Sequence, residues 1–247
     1  MNRVKTHNSG SNASSAVSLD EFSLIIFDFD GVIADSEIIS LATLQNTLAD
    51  YGIHLPSETV RERFLGKSLD AILEFVAENS AGRPVNDFAE NWQSELFERF
   101  HNELSPIADV TGFLDILRSL NVPYCIASSG TFERIGVALA AMQMAPLFEF
   151  VFSAEQVERG KPAPDLFLHA AAQVGVAPET CLVIEDSPFG VRAAKAANMR
   201  CAGFVGGAHL KGIEDHHGAF LRQQGADLII RSYGALAPEL CKKPEKQ

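Results

Sequence analysis

"LIIFDFDGVIADSE", residues Leu24–Glu37, begins as an unbroken apolar run and ends in clustered acid, with Asp28 and Asp30 one residue apart and Asp35 close behind. A brief apolar run closed by acidic residues and a glycine reads as a buried strand. On an extended chain Asp28 and Asp30 point the same way. Two carboxylates so placed repel unless a cation joins them. A strand end followed by a turn would account for one aspartate, but a pair directly after "LIIF" asks for chemistry. Asp35 reads as a brace for a hinge, or as a cap for the helix that follows.

Outward from this stretch, short apolar runs alternate with longer amphipathic ones. "YCIASSG", "FEFVFSA", "CLVIEDS", "RCAGFVG" and "ADLIIRS" read as further strands. "VTGFLDILRSLN", "FERIGVALAAMQM", "APDLFLHAAAQVGV" and "PFGVRAAKAANM" carry helical spacing between them, with Pro164 suited to an early helical position. This alternation predicts an α/β fold, a Rossmann-like, doubly wound parallel sheet. From about Ser36 to Leu104 the alternation stops. Four helical patterns follow one another there with no convincing strand. The expected organisation is a disordered tail over 1–20, a core formed by 21–35 and 106–240, an inserted all-helical domain over 36–105, and a flexible end over 241–247. Hinges are expected near Ala34–Glu37 and Ser105–Asp109.

Composition bounds the function. The 247 residues are 47% hydrophobic and carry a formal net charge of -12, with no cluster of Lys and Arg. Such a chain is expected to be globular, and not to bind nucleic acid. No apolar stretch is long enough to span a bilayer, and the Ser- and Asn-rich start lacks the apolar segment of a signal peptide. The four cysteines, Cys125, Cys181, Cys201 and Cys241, show no metal-ligand spacing, and three of them sit in apolar, strand-like stretches where a cysteine reads as a small hydrophobe. A cytoplasmic monomer is the expectation.

In open α/β sheets, ligands bind beyond the carboxyl ends of the strands. Four chemistry-bearing segments are predicted there: Asp28-Phe29-Asp30-Gly31, Ser128-Ser129-Gly130, Gly160-Lys161-Pro162 and Glu185-Asp186-Ser187. Clustered carboxylates suit Mg²⁺, a hard cation that takes a few acids, waters and a substrate phosphate. Lys161 adds positive charge for an anion. Ser128 and backbone N–H groups near Gly130 and Gly31 offer donors to phosphate oxygens. Together these suit phosphoryl transfer, with an aspartate as nucleophile. Taken singly, Ser128 is a turn residue, Lys161 a surface lysine, and Asp186 and Ser187 the cap of the next helix.

These motifs, in this order, resemble the haloacid dehalogenase superfamily, and within it the helical-cap phosphatases and β-phosphoglucomutases. "DFDGV" (Asp28–Val32) matches the family's first motif, Ser128 the second, Lys161 in "GKPAPD" the third, and "EDSPFGVRAAKAANM" the fourth. The resemblance runs from about Phe22 to Ser232. It implies that Asp28 attacks phosphorus and that Asp30 protonates the leaving alcohol, then activates the water that cleaves the aspartyl-phosphate. It implies Mg²⁺ held by the Asp28 carboxylate, the Asp30 backbone carbonyl and Asp186, with Glu185 assisting. Ser128, with Ser129 beside it, and Lys161 would bind the phosphoryl group.

Asp30 argues against a dehalogenase, whose leaving group needs no proton. The mutases carry a histidine where this chain has Ser40, and no arginine for a distal phosphate is evident. The expected activity is therefore Mg²⁺-dependent hydrolysis of a small phosphate ester of a sugar, polyol or sugar acid. A phosphomutase is the alternative, and a non-catalytic binding module a third reading. In the helical insertion, Gly66, Lys67 and Ser68 are candidate substrate contacts, beside Arg63; a solvated helix end is the competing reading. Trp92 is expected in the insertion's core, His209 as a loop residue able to approach the site, and His216 and His217 in solvent.

Overall fold

A computed structural model describes residues 18–237, apart from 67, 68, 81 and 83. Strands β1 (Leu24–Phe27), β2 (Tyr124–Ser128), β3 (Val151–Ser153), β4 (Cys181–Glu185), β5 (Arg200–Phe204) and β6 (Leu228–Ile230) form one sheet in the order β3-β2-β1-β4-β5-β6. Every neighbouring pair is parallel. A parallel sheet is covered on both faces, which is why its central strands read as continuous apolar runs. In β1, Ile25 and Phe27 enter a core that includes Phe113 and Leu114, whereas Leu24 and Ile26 enter the opposite core with Leu166, Phe167 and Val191. Helices α5 (Val110–Ser119) and α6 (Phe132–Ala141) supply the first face, and α7 (Asp165–Val174) and α8 (Pro188–Ala196) the second.

Topology fixes where side chains converge. The chain runs outward from β1 through β2 to β3, then returns to β4 on the other side of β1. That reversal opens a crevice at the carboxyl ends of β1, β2 and β4, the usual ligand position in such sheets.

Between β1 and β2 lie α1 (Glu37–Asp50), α2 (Ser57–Phe64), α3 (Leu69–Asn79) and α4 (Phe88–Glu103). Leu44, Leu48, Val60, Phe64, Val76 and Phe88 form an apolar cluster of their own, against which Trp92 is partly buried. Ile39, Leu96 and Phe100 instead join the sheet's core, so α1 and α4 seat the helical segment on the sheet. The outgoing and returning chains run side by side. Ala34 bridges Pro106, the Asp35 N–H donates to the Ser105 carbonyl at 3.0 Å, and the Ile107 N–H donates to the Ile33 carbonyl at 2.8 Å.

The structure adds an element the sequence pattern did not predict, α9 (Glu214–Gln223), between β5 and β6. Its residues are mostly polar, and within it only Gly218 and Leu221 are buried, so no apolar stripe announces it. Leu19, only 6% exposed within a short 3₁₀ turn Leu19–Glu21, is fixed against the core inside the stretch expected as tail. The rest of that tail, the end over 241–247, Cys241, Lys67 and Ser68 lie outside the described residues. Cys125, Cys181 and Cys201 are buried and unpaired. Among the described residues no helix is long and apolar enough to cross a membrane.

Candidate active site

Strand ends bring the acids together. One oxygen from each of the buried carboxylates Asp28, Glu185 and Asp186 lies within 4.8 Å of the others. Asp28 follows directly on β1, where its N–H donates to the Ile184 carbonyl at 2.9 Å, and Glu185 closes β4. Lys161 reaches in from the loop before α7. Its Nζ donates to Asp28 Oδ1 at 2.7 Å and to Glu185 Oε1 at 2.8 Å, with its side chain only 3% exposed. The other Glu185 oxygen accepts the Ser187 N–H at 2.7 Å, and Ser187 Oγ caps α8 by accepting the Gly190 N–H at 3.0 Å.

Charge in this pocket does not balance. Three carboxylates face one ammonium, largely shielded from water. Burial, then repulsion from Glu185, pushes the Asp28 carboxyl up to about 7 despite Lys161. Burial and the Asp28 charge raise Asp186 well above the ordinary carboxylate range, and burial also raises Glu185. Burial works against the charge of Lys161, but Asp28 and Glu185 more than offset it and raise its pKa. A buried oxygen cluster with excess negative charge is what a divalent cation neutralises, so the residues present fit a metal ion.

Glycines give these acids room. A methyl at Gly190 would fall 1.6 Å from Glu185 Oε1. Gly31, at φ +76°, adopts a conformation that disfavours a side chain, and a methyl there would lie 2.0 Å from Asp186 Oδ2. Gly190→Ala therefore has to displace Glu185. A loss of about 1–3 kcal/mol is expected from such overpacking, read as a lower melting temperature. An unchanged melting temperature would mean that Glu185 is not confined by α8.

Asp30 stands apart from the triad and makes different partners. Its Oδ1 accepts from Ser36 Oγ and from Arg134 Nη2, the latter at 2.8 Å. Arg134 also donates to Ser40 Oγ at 3.0 Å and lies over the Phe100 ring, which ties the start of α6 to α1 and α4. Burial alone would raise Asp30, but the Arg134 charge and the hydrogen bonds from Arg134 and Ser36 outweigh it and hold the carboxyl below its usual value. Glu37, at the start of α1, faces the same region; burial and the Asp30 charge push it up to about 7.

Ser128 ends β2, buried, with its Oγ accepting the Gly130 N–H at 3.0 Å; Ser129 is exposed beside it. His209 sits against the acids, its Nε2 3.1 Å from Asp186 Oδ2, and burial lowers its pKa. His217, expected in solvent, is half-buried in α9 with Nε2 2.6 Å from the Asp186 carbonyl oxygen; only His216 is exposed. Asp35 does not cap α1. Its Oδ1 accepts the Ala208 N–H at 3.0 Å and so braces the loop that carries His209. In the helical segment Gly66 is exposed at φ +70°, and Arg63 is occupied over the Phe75 ring.

Sequence reasoning passed over Arg134 and Glu37. Each had one available signal: a charged residue in the first turn of a helix that starts where a strand end delivers the site.

A switch-point crevice holding a buried carboxylate triad bridged by one lysine defines an α/β enzyme of the metal-assisted, aspartate-bearing kind. The haloacid dehalogenase-like hydrolase family model matches residues 25–204. Among characterised proteins, the chain is similar to 6-phosphogluconate phosphatase of Escherichia coli, 29% identical over 191 residues, spanning 76% of this chain and 85% of that one. It is also similar to hexitol phosphatase A of the same organism, 30% identical over 177 residues, spanning 70% and 78%. A crystal structure of a HAD family hydrolase from Deinococcus radiodurans, with bound phosphate and sodium, superposes with a TM-score of 0.72 at 31% identity, covering 90% of this chain and 96% of that one. The protein belongs to the haloacid dehalogenase-like hydrolase family.

Proposed function

We propose that the protein is a Mg²⁺-dependent phosphatase that hydrolyses a small phosphorylated sugar, polyol or sugar acid through an aspartyl-phosphate. It is a phosphoric monoester hydrolase, and the observation that carries the finer reading is the Asp28–Glu185–Asp186 triad with Lys161 bridging two of its members. Asp28, Asp186 and the Asp30 carbonyl, with Glu185 assisting, would hold Mg²⁺, which would supply positive charge to offset that of the phosphoryl group. Residues 36–105 act as a cap over the crevice, and 21–35 with 106–240 form the catalytic core.

In the first half-reaction an Asp28 oxygen bonds to phosphorus as the ester P–O bond breaks. Asp30 gives its proton to the departing alkoxide. Ser128 and Lys161 steady the phosphoryl oxygens, with Ser129 at the rim. In the second half-reaction Asp30, now ionised, takes a proton from water as that water's oxygen attacks phosphorus. The bond to Asp28 breaks, and inorganic phosphate leaves. Asp30 as held by Arg134 and Ser36 is prepared for the second task, because those contacts favour its ionised form. For the first task Arg134 has to yield Asp30 as the substrate enters.

Ser40 donates to the Ser36 carbonyl at 2.9 Å and accepts from Arg134. These bonds occupy the place of the mutases' histidine, which favours hydrolysis over isomerisation. Release of inorganic phosphate from p-nitrophenyl phosphate is expected with Mg²⁺ and not with chelator. Saturating Mg²⁺ at about 100 times its Kd should stabilise the fold by roughly 2.7 kcal/mol, seen as a raised melting temperature. Isomerisation of a sugar phosphate without phosphate release would instead establish the mutase, and no turnover of any ester in a broad panel would sink both.

A further inference from the structure

A cleft of about 250 Å³ opens between α1, α2 and the loop after β5. Ile38, Ala42 and Gln45 line it from α1, Arg61 from α2, and His209 and Lys211 from the loop. Two of these are cations, and neither the Arg61 guanidinium nor the Lys211 ammonium makes a hydrogen bond or ion pair among the described residues. Neighbouring arginines differ: Arg63 covers Phe75, Arg99 pairs with Glu103 and Arg134 pairs with Asp30. In a chain of net charge -12, the lining of this cleft carries two cations and no acidic side chain.

The cleft shares a wall with the acid cluster. His209 lines it while its Nε2 lies 3.1 Å from Asp186 Oδ2, and its buried Nδ1 has no hydrogen-bond partner. The nearby Asp35 carboxylate accepts the Ala208 N–H and makes no ion pair with Arg61. Ile38, 47% exposed, adds an apolar strip beside the cations. A few polar groups on an apolar wall are the usual make-up of a small-molecule site.

We propose that this cleft receives the leaving-group end of the substrate, and that Arg61 and Lys211 select a second anionic group there, a carboxylate or a second phosphate on a short carbon chain. The inference rests on the phosphatase reading above. An anionic end gains charge-assisted hydrogen bonds, with the planar guanidinium able to grip two oxygens. A neutral hydroxymethyl end gains neither, so the cleft discriminates between esters that are identical at the phosphate.

Gluconate 6-phosphate, fructose 1,6-bisphosphate and glucitol 6-phosphate compare a carboxylate, a second phosphate and a neutral end. Wild-type protein should show a higher kcat/KM on at least one of the first two than on glucitol 6-phosphate. Arg61→Gln and Lys211→Ala should each cut that ratio about tenfold, equivalent to roughly 1.4 kcal/mol, chiefly through KM. Arg61→Lys, which keeps the charge but not the two-pronged grip, should fall between wild type and Arg61→Gln. Melting curves of all three variants check that they fold, and Lys211→Ala, at an exposed position, gives a second reading if Arg61→Gln does not. The carboxylate and bisphosphate arms identify the anion. Equal wild-type activity on all three esters, or ratios untouched by both substitutions, overturns the cleft assignment alone. No hydrolysis of any ester overturns the phosphatase reading, and the assignment with it.

Discussion

Asp28→Asn is expected to abolish hydrolysis, by about 10⁴-fold or more if Asp28 is the proposed nucleophile, while the protein stays folded. The geometry separates the two effects. The substituted amide keeps an oxygen where Lys161 now donates at 2.7 Å, so the bridge from the loop before α7 to β1 survives. The substitution removes a carboxylate whose pKa is pushed up to about 7 by burial and by Glu185, which means the fold disfavours its ionised form at neutral pH. Relief of that repulsion offsets the weaker, uncharged hydrogen bond to Lys161. The metal-free variant should therefore melt at or above the wild-type temperature. Its response to Mg²⁺ should shrink, because one of three clustered ligands has lost its charge. Activity within a hundredfold of wild type would remove Asp28 from the nucleophile's role. A large fall in melting temperature would mean that the ionised form contributes to stability.

How much of this was legible in the chain depended on where the signal lay. β1 was legible because a strand buried on both faces leaves an unbroken apolar run, and its acids because they are adjacent to it. Asp28, Lys161, Glu185 and Asp186 come from three separated segments, yet topology delivers all of them to one crevice, so the strand-end rule predicted their meeting. The helical segment was readable for the opposite reason, as a break in the alternation. α9 was not, since only Leu221 and Gly218 turn inward and its pattern is polar on nearly every side. Arg134 was hidden differently. It follows Phe132 and Glu133 in a helix whose apolar face is Ile135, Ala138 and Leu139, and nothing local says that its guanidinium crosses to Asp30. Contacts made across 104 positions of sequence depend on how α6 docks against α1 and α4, which periodicity does not encode. His209 approaches the site from its loop as its position after β5 suggests, whereas the polar surroundings of His217 hide that its partner, the Asp186 carbonyl, sits on another strand end.

Lys161→Ala is expected to damage fold and activity together, in contrast to Asp28→Asn. The ammonium is the only cation within ion-pair distance of Asp28 and Glu185 among the described residues, and its side chain is 3% exposed. Removing one partner of a buried pair leaves uncompensated charge and costs about 3–5 kcal/mol. For a chain of this size that corresponds to a melting temperature lower by about 10 °C. Two responses soften the loss. The carboxyls, already raised by burial, take up protons, and a divalent cation binds the triad to replace the missing charge. The deficit should consequently be larger in chelator than in Mg²⁺, a difference that loss of the Lys161 ammonium from over the Phe167 ring alone would not produce. Activity should fall about 10²–10³-fold even in Mg²⁺, the scale of losing one preorganised electrostatic contact to a transition state. Lys161→Arg keeps the charge but needs more room than a pocket closed by Asp28, Glu185 and Phe167 provides, so it should recover stability only in part. Differential scanning calorimetry of both variants, each with Mg²⁺ and with chelator, reads these differences. Equal melting temperatures for wild type and Lys161→Ala in chelator would show that the carboxylates are neutralised without the lysine.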